Sequence, residues 1–397
     1  MAPPLQPPPV RPTAPRRSWW PPARPWQRRA AQPVLLALAV ASVLDGCGAR
    51  SPGEARRLAL RPEALLPHPS ASTEVARPQQ LAQASDETIL TVSAIGDCAI
   101  GDLQHGGGAP GSLRAQLEQV PDPLRYPFSG VAELLRADDL TIANLEGTLT
   151  EHQGANNPVF SIRGKPEYAA MLVQGGVELV DIENNHSHDY GLEGFADTKA
   201  ALERAGVGYF GGGVVDRRTV RGIRVVNLGY LGGPQGTRAH VVADLARERP
   251  QADLVIVSFH WGVEGWTETH PDQQSLGRAA VDAGADLVIG THPHVLQGIE
   301  SYHGRHILYS LGNFVFGANS QPADMDSMIV QERFHFRAGK LAAVEQTVLP
   351  VSISSNRVTN DFRPMILEGP ERDRVASKID KLGRALKPPK IRAPADG

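Results

Sequence analysis

Two rhythms of apolar and polar positions run along this chain. Short apolar or β-branched runs at 88–95, 140–144, 178–182, 223–228, 254–259, 287–289 and 305–311 predict strands. Segments 192–205 and 273–283 carry helical spacing and run into Gly206 and Gly284. Glycine suits a helix C-terminus because it enters the left-handed region without a Cβ clash. Further on, 327–336 and 342–353 alternate as antiparallel strands do. Strand-like and helix-like segments alternate, which predicts an α/β protein with a mixed sheet system. No internal repeat breaks the series.

The first 85 residues follow neither rhythm. Residues 1–32 contain 10 of the 33 prolines and no apolar periodicity, so they cannot bury enough surface to fold. The apolar run at 34–44 is too short to span a bilayer as a mature helix, but behind a positive flank it suits a signal-peptide core. Leu44-Asp45-Gly46-Cys47 closes it and resembles a lipobox, with Asp45 departing from the small or apolar residue usual there. The pairs Arg16-Arg17 and Arg28-Arg29 read as a basic leader. We therefore expect an export signal over 1–47 with a lipidation candidate at Cys47, a flexible tether over 48–85, a folded domain over 86–382 and a disordered tail over 383–397. The expected location is the cell envelope, either as a membrane-anchored lipoprotein or free in the periplasm or outside.

Charge sharpens this picture. The formal net charge is −3, but residues 1–50 hold seven arginines and one acid, which leaves 33 basic against 42 acidic residues in 51–397. A body that acidic, without a basic tract, is a poor partner for nucleic acid. The two cysteines, Cys47 and Cys98, form no C-x-x-C and no disulfide framework.

The chemistry lies where the strands end. In open α/β sheets ligands bind beyond the carboxyl ends of strands. Here the first strand runs into Gly96-Asp97, the second into Asn144-Leu145-Glu146 and the third into Asn184-Asn185-His186. Two later strands run into His260-Trp261-Gly262 and His292-Pro293-His294. One strand-end histidine would be bland, but this succession is a metal-ligand pattern. Imidazole, carboxylate and carboxamide together suit Zn, Mn or Fe rather than Mg or Ca. A carboxylate bridging two ions about 3.5–4 Å apart is the usual arrangement of hydrolytic two-metal sites. Pro293, with its fixed φ, is expected to hold His292 and His294 in one turn. Cys98, beside Asp97, reads as a small buried filler rather than a soft ligand. Trp261 reads as packing beside the ligand layer, Glu264 as a residue of the pocket rim, and Asn313 as a tie between loops.

Taken in order, G-D-x-x-x-G (Gly96, Asp97, Gly101), N-L-E (Asn144–Glu146), N-N-H-x-x-D-x-G (Asn184, Asn185, His186, Asp189, Gly191), H-W-G-x-E (His260–Glu264), G-x-H-P-H-V (Gly290–Val295) and Y-S-L-G-N-F-V-F (Tyr309–Phe316) resemble the CapA family of poly-γ-glutamate capsule proteins. The resemblance runs from about residue 88 to about residue 318. It implies a fold like that of calcineurin-type metallophosphatases, a four-layer α/β/β/α sandwich with two divalent transition metal ions (Mn, Zn or Fe) at one end of the sheets. It also implies Asp97 and His294 as ligands of the first ion and Glu146 as the bridge. Asn185, His260 and His292 would hold the second ion. His186 would stand in the place of the catalytic imidazole, with Asp189 as its orienting partner. The chain departs from the phosphatase pattern D-x-H in its first block, where Ala99 replaces the histidine and the first ion loses a ligand.

Two functions follow from these residues and this resemblance. In the first, the protein is an exported hydrolase or transferase that acts on an anionic polymer or phosphoester through a metal-activated water, with His186 as the acid. In the second, it is a non-catalytic, membrane-tethered accessory subunit working with the membrane subunits of a capsule polymer synthase. Intact His186 and Asp189 favour the first reading, while Ala99 and the lipobox-like tether favour the second. No cluster of Lys and Arg lies beside the motifs; Arg163-Gly164-Lys165 is the nearest candidate for gripping a polyanion.

Overall fold

The computed structural model describes residues 87–104, 107–233 and 236–386. The expected leader, the lipobox and the whole of the expected tether lie outside the described residues, as does the chain beyond residue 386. No helix among the described residues is long and apolar enough to cross a membrane.

Among the described residues the architecture is mixed α/β with three sheets. The largest has eight strands. Its parallel part runs Glu87–Ala99, Leu140–Leu145, Leu179–Asp181 and Gly208–Phe210 in spatial order. Asp326–Arg337 lies antiparallel on the other side of Glu87–Ala99, followed by Lys340–Ser352 and Met365–Ile366. The six-stranded sheet orders Ile299–Tyr302, Arg305–Leu308, Leu287–Thr291, Leu254–His260, Ile223–Leu231 and Asp216–Val220. Three short strands, Asp102–Leu103, Ile162–Gly164 and Thr148–Leu149, form the small third sheet.

Strand alternation explains how the layers bury themselves. Leu90, Val92, Ile142 and Leu179 of the large sheet share one apolar cluster with Val225, Leu254, Ile256 and Leu287 of the six-stranded sheet. Val375 and Ile379, one turn apart on the helix Gly369–Arg384, join the same cluster. The residues between them face outward. Ile95, Val180 and Ile182 pack with Met171 and Leu172 of helix Ala169–Gly175 and Leu202 of helix Gly191–Ala205. Val255, Val257 and Phe259 pack with Val241 and Leu245 of helix Gly236–Glu248 and Leu276 and Ala280 of helix Pro271–Asp282. Full burial of side chains of this size contributes about 1.5–3 kcal/mol each before entropy is counted.

Both predicted helix ends hold: Gly206 has φ +78 and Gly284 φ +110. One predicted strand does not. The apolar run at 305–311 ends as a strand at Leu308, and a separate strand, Asn313–Phe316, pairs with Glu87–Ala99 in the other sheet. The chain therefore changes sheets through Tyr309–Gly312. The crossing is tight enough that a Cβ on Gly96 would lie 2.0 Å from the Gly312 carbonyl oxygen.

Candidate metal centre

The first strand carries an irregularity just before its end. Its register against the second strand shifts between Ala94 and Asp97. Ile95 and Cys98, three residues apart, consequently share the same outer cluster, which strict alternation forbids. A bulge of this kind re-aims a side chain, and here Asp97 turns toward the ends of the other strands. Its carboxylate is fully buried. Asn144 Nδ2 donates to Asp97 Oδ1 at 2.8 Å, and the His292 backbone N–H donates to Oδ2 at 3.2 Å. The second strand ends in Asn144 and then Glu146, which is 1 % exposed. Neither oxygen of Glu146 has a hydrogen-bond partner among the described residues.

The loop after Leu179–Asp181 is built from side-chain turns. Asp181 Oδ1 accepts from the Glu183 N–H at 2.9 Å, and Asn184 Oδ1 accepts from the His186 N–H at 3.1 Å. Asn184 Nδ2 ties the loop to the second strand through Asn144 Oδ1 at 3.1 Å and the Leu145 carbonyl at 2.8 Å. This presents Asn185, whose Oδ1 lies 2.7 Å from His260 Nε2. The other ring nitrogen of His260 is 3.1 Å from Thr291 Oγ1 and 3.3 Å from Asn144 Nδ2. His186 Nδ1 donates to Asp189 Oδ2 at 2.8 Å, which turns Nε2 toward Glu146 Oε1 at 3.8 Å.

The His292-Pro293-His294 turn is strained on both sides of the proline. His292 has φ +95 and His294 φ +59, backbone that non-glycine residues seldom adopt. His294 Nδ1 lies 3.0 Å from Asn313 Oδ1 and 3.3 Å from Asp97 Oδ2, and Nε2 lies 3.6 Å from Glu146 Oε1. Ligand atoms of Asp97, Glu146 and His260 lie within 4.8 Å of one another, as do those of Glu264, His292 and His294. The structure thus brings the whole predicted set together, Asp97, Glu146, Asn185, His186, Asp189, His260, His292 and His294. Its two close groupings cut across the division between ions that the resemblance implies.

The electrostatics call for a cation. Burial pushes the Glu146 carboxyl up to about 7; His294 opposes this and the Asp97 charge adds to it. His294 moves the other way from what its burial alone would give: Glu146 and Asp97 hold it up at about 10. Burial drives His292 down to about 3, and burial with the neighbouring imidazoles drives His260 well below its ordinary value. Two imidazoles held neutral, beside buried carboxylates whose field favours positive charge, are a donor set that fits transition metal ions. The two oxygens of Glu146 make the same point, because a buried carboxylate that accepts no hydrogen bond is costly.

Trp261 is buried, stacks on Phe259 and donates from Nε1 to the Tyr309 carbonyl at 2.8 Å, as packing requires. Cys98 is fully buried, with its thiol pushed up to about 12 chiefly by burial. Asn313 ties loops through its carboxamide as expected, with Oδ1 joining the start of its strand to the His294 turn. Arg163 lies over the Tyr190 ring and donates to the His152 carbonyl at 2.9 Å, while Lys165 pairs with Glu167. Other histidines have structural contacts: His270 caps Pro271–Asp282, and His306 pairs with the buried Glu332. Sequence reasoning missed the supporting amides of Asn144 and Asn184, although both stand inside the blocks it singled out.

The family model described as "Bacterial capsule synthesis protein PGA_cap" matches residues 91–318. The chain is similar to "Capsule biosynthesis protein CapA" of Bacillus anthracis, 32% identical over 264 residues that cover 57% of this chain and 61% of that protein. It is also similar to "PGA biosynthesis protein CapA" of Bacillus subtilis (strain 168), 30% identical over 56% of this chain and 64% of that protein. The chain thus spans a little over three fifths of the length of these curated relatives. Among solved structures it is similar to a 5'-nucleotidase from Candida albicans SC5314, with a TM-score of 0.38 and 11% identity over 74% of this chain and 57% of that one.

Proposed function

The chain belongs to the family of bacterial capsule synthesis proteins, and from that premise we propose that it is an exported metal-dependent hydrolase or transferase. Its substrate in this reading is poly-γ-glutamate or a related anionic capsule polymer, or a phosphoester met in making one. The observation that carries it is Glu146, a buried carboxylate with no hydrogen bond, set among histidines at the point where the strand ends meet. Two sheets that share one core, each with helices on its other face, support the four-layer α/β/β/α arrangement of calcineurin-like phosphoesterases.

Asp97, Glu146, Asn185, His260, His292 and His294 would hold two ions, with Mn, Zn or Fe matching the nitrogen and oxygen donors. Ions so held supply a nucleophile from water at neutral pH and a positive field for charge that develops in the transition state. The protein's own part is positional. Asn144 and Asn184 brace the loop that carries Asn185 and His186. Burial lowers the basicity of His186, but the Asp189 hydrogen bond and the Glu146 charge outweigh it and hold the ring above its ordinary value. His186 Nε2 is therefore the atom from which a leaving group takes a proton.

A ligand set with a purely structural task has no use for a carboxylate-backed imidazole beside it. For that reason the catalytic reading is preferred to the accessory-subunit reading. Location in the cell envelope, with a lipid tether at Cys47 and contact with the membrane subunits of a synthase, belongs to the same proposal.

The test is turnover by the purified chain loaded in turn with Mn, Zn and Fe, on a chromogenic phosphodiester and on γ-linked glutamate oligomers. Turnover that disappears in Glu146→Ala and His186→Ala supports the reading. A fully loaded chain that turns over neither class overturns it in favour of the accessory subunit.

A further inference from the structure

The first strand ends Asp97-Cys98-Ala99 and offers its metal-capable oxygens at Asp97 alone. The Ala99 methyl is buried with Ile162 and Phe316, and the Phe316 ring lies 4.8 Å from that of His294, centroid to centroid. The Cys98 thiol packs into the outer cluster and donates to the Gly96 carbonyl at 3.6 Å. An apolar wall therefore stands where the phosphatase pattern has an imidazole.

A carboxylate approaches the same histidines from the other sheet. Glu264 follows the strand Leu254–His260 in an exposed loop, and one of its oxygens lies within 4.8 Å of a ring nitrogen of His292 and of His294. Donors held at about 2.0–2.2 Å from one ion are at most about 4.4 Å apart, so little side-chain movement closes the set. The loop is attached to the His292-Pro293-His294 turn on both sides of Glu264. The Trp261 N–H donates to the Thr291 carbonyl at 3.1 Å, and the Gly265 N–H donates to the Pro293 carbonyl at 2.8 Å. Gly262 at φ +87 and Gly265 at φ +75 make the bends that bring the loop back over the turn. The Glu264 charge acts on both Glu146 and His294, as its closeness to the centre requires.

We propose that Glu264 is a metal ligand, which together with His292 and His294 holds an ion for which the first strand supplies no imidazole. The exposed carboxylate stays hydrated until an ion arrives, so the protein holds it there at little cost. Two backbone hydrogen bonds, rather than side-chain packing, keep it within reach. The inference rests on the metal-dependent reading above and names a donor that the resemblance does not.

The test is Mn²⁺ binding to the purified full-length chain by equilibrium dialysis, with the Mn²⁺ electron paramagnetic resonance spectrum as a second readout. Glu264→Gln keeps the shape and removes the charge; it should weaken one Mn²⁺ site about tenfold or more and alter the spectrum of that site. Glu264→Asp should fall between Gln and wild type. The metal-free variants should unfold at the wild-type temperature, because the side chain is exposed. If Glu264→Gln binds Mn²⁺ with the wild-type number, affinity and spectrum, the inference is wrong and the metal-dependent reading stands. If the wild-type chain takes up none of Mn²⁺, Zn²⁺ and Fe²⁺ in the same dialysis, both fall.

Discussion

His186 Nδ1 and Asp189 Oδ2 are 2.8 Å apart, and the backbone N–H of Ile162 donates to that same Asp189 oxygen at 2.7 Å. Asp189 is thus fixed by the small three-stranded sheet, and the imidazole in turn by Asp189. We predict that Asp189→Asn lowers kcat about 10–100-fold on any substrate the wild-type chain turns over, with KM nearly unchanged. His186→Ala should cost about 10²–10⁴-fold in kcat. Both variants should keep the wild-type metal content by elemental mass spectrometry. Loss of metal in His186→Ala would make it a ligand and remove it as the acid.

Glu146 should be a liability without metal and an asset with it. Its buried carboxylate makes no hydrogen bond among the described residues and costs about 1–3 kcal/mol where no metal ion occupies the site. Glu146→Gln should therefore leave the metal-free chain as stable as wild type or more so in thermal unfolding. Saturating metal should reverse the order. A ligand at a hundred times its Kd adds about 2.7 kcal/mol to the wild type, and the variant should gain far less. Equal gains in both chains would take Glu146 out of the ligand set.

Which of these residues could be read from sequence depended on where they stand. Asp97, Glu146, His260 and His292 close apolar runs, so strand prediction and ligand prediction supported each other there. The contact between Asn313 and His294 was hidden, because 305–311 reads as one strand and its change of sheet goes with a close tertiary approach of Gly312 to Gly96. The small sheet escaped because Thr148–Leu149 and Asp102–Leu103 are too short to show a period. Val375 and Ile379 stand at helical spacing within a charged stretch, but that pattern does not say which core they enter. Glu264 reads from its motif as a residue of the pocket rim. Its partners are set by how the loop folds back on the Pro293 carbonyl.

The approach of Gly96 to Gly312 gives a direct prediction. A methyl group on Gly96 would meet the Gly312 oxygen at 2.0 Å and its carbonyl carbon at 3.0 Å, and neither backbone atom can rotate away. Gly96→Ala should cost about 1–3 kcal/mol in urea unfolding. It should also reduce metal affinity, since the Asp97 N–H donates to the same Gly312 oxygen at 3.0 Å. Wild-type stability and affinity in Gly96→Ala would show that the two strands can part without harm.

Asp326 links stability to pH at a place away from the ligands. It is 4% exposed and receives Arg374 at 2.6 and 2.8 Å and Lys378 at 2.9 Å, which anchors helix Gly369–Arg384 to the large sheet. Burial alone would raise its pKa, but these hydrogen bonds outweigh burial and hold the carboxyl below its ordinary range. A carboxyl lowered in the folded state contributes its full stabilisation above the unfolded value of about 3.9 and loses it as pH falls toward the folded value. Asp326→Asn should therefore cost about 1–3 kcal/mol at pH 7, with the partial exposure of Arg374 and Lys378 holding it toward the lower end. That gap should stay constant down to about pH 4 and narrow below it, because protonation does to the wild type what the substitution has already done. Urea unfolding of both chains at pH 7 and in the acid range below 4 measures it. A gap of the same size at both would mean that Asp326 acts through shape alone, and that Arg374 and Lys378 contribute nothing through their charge to holding the helix.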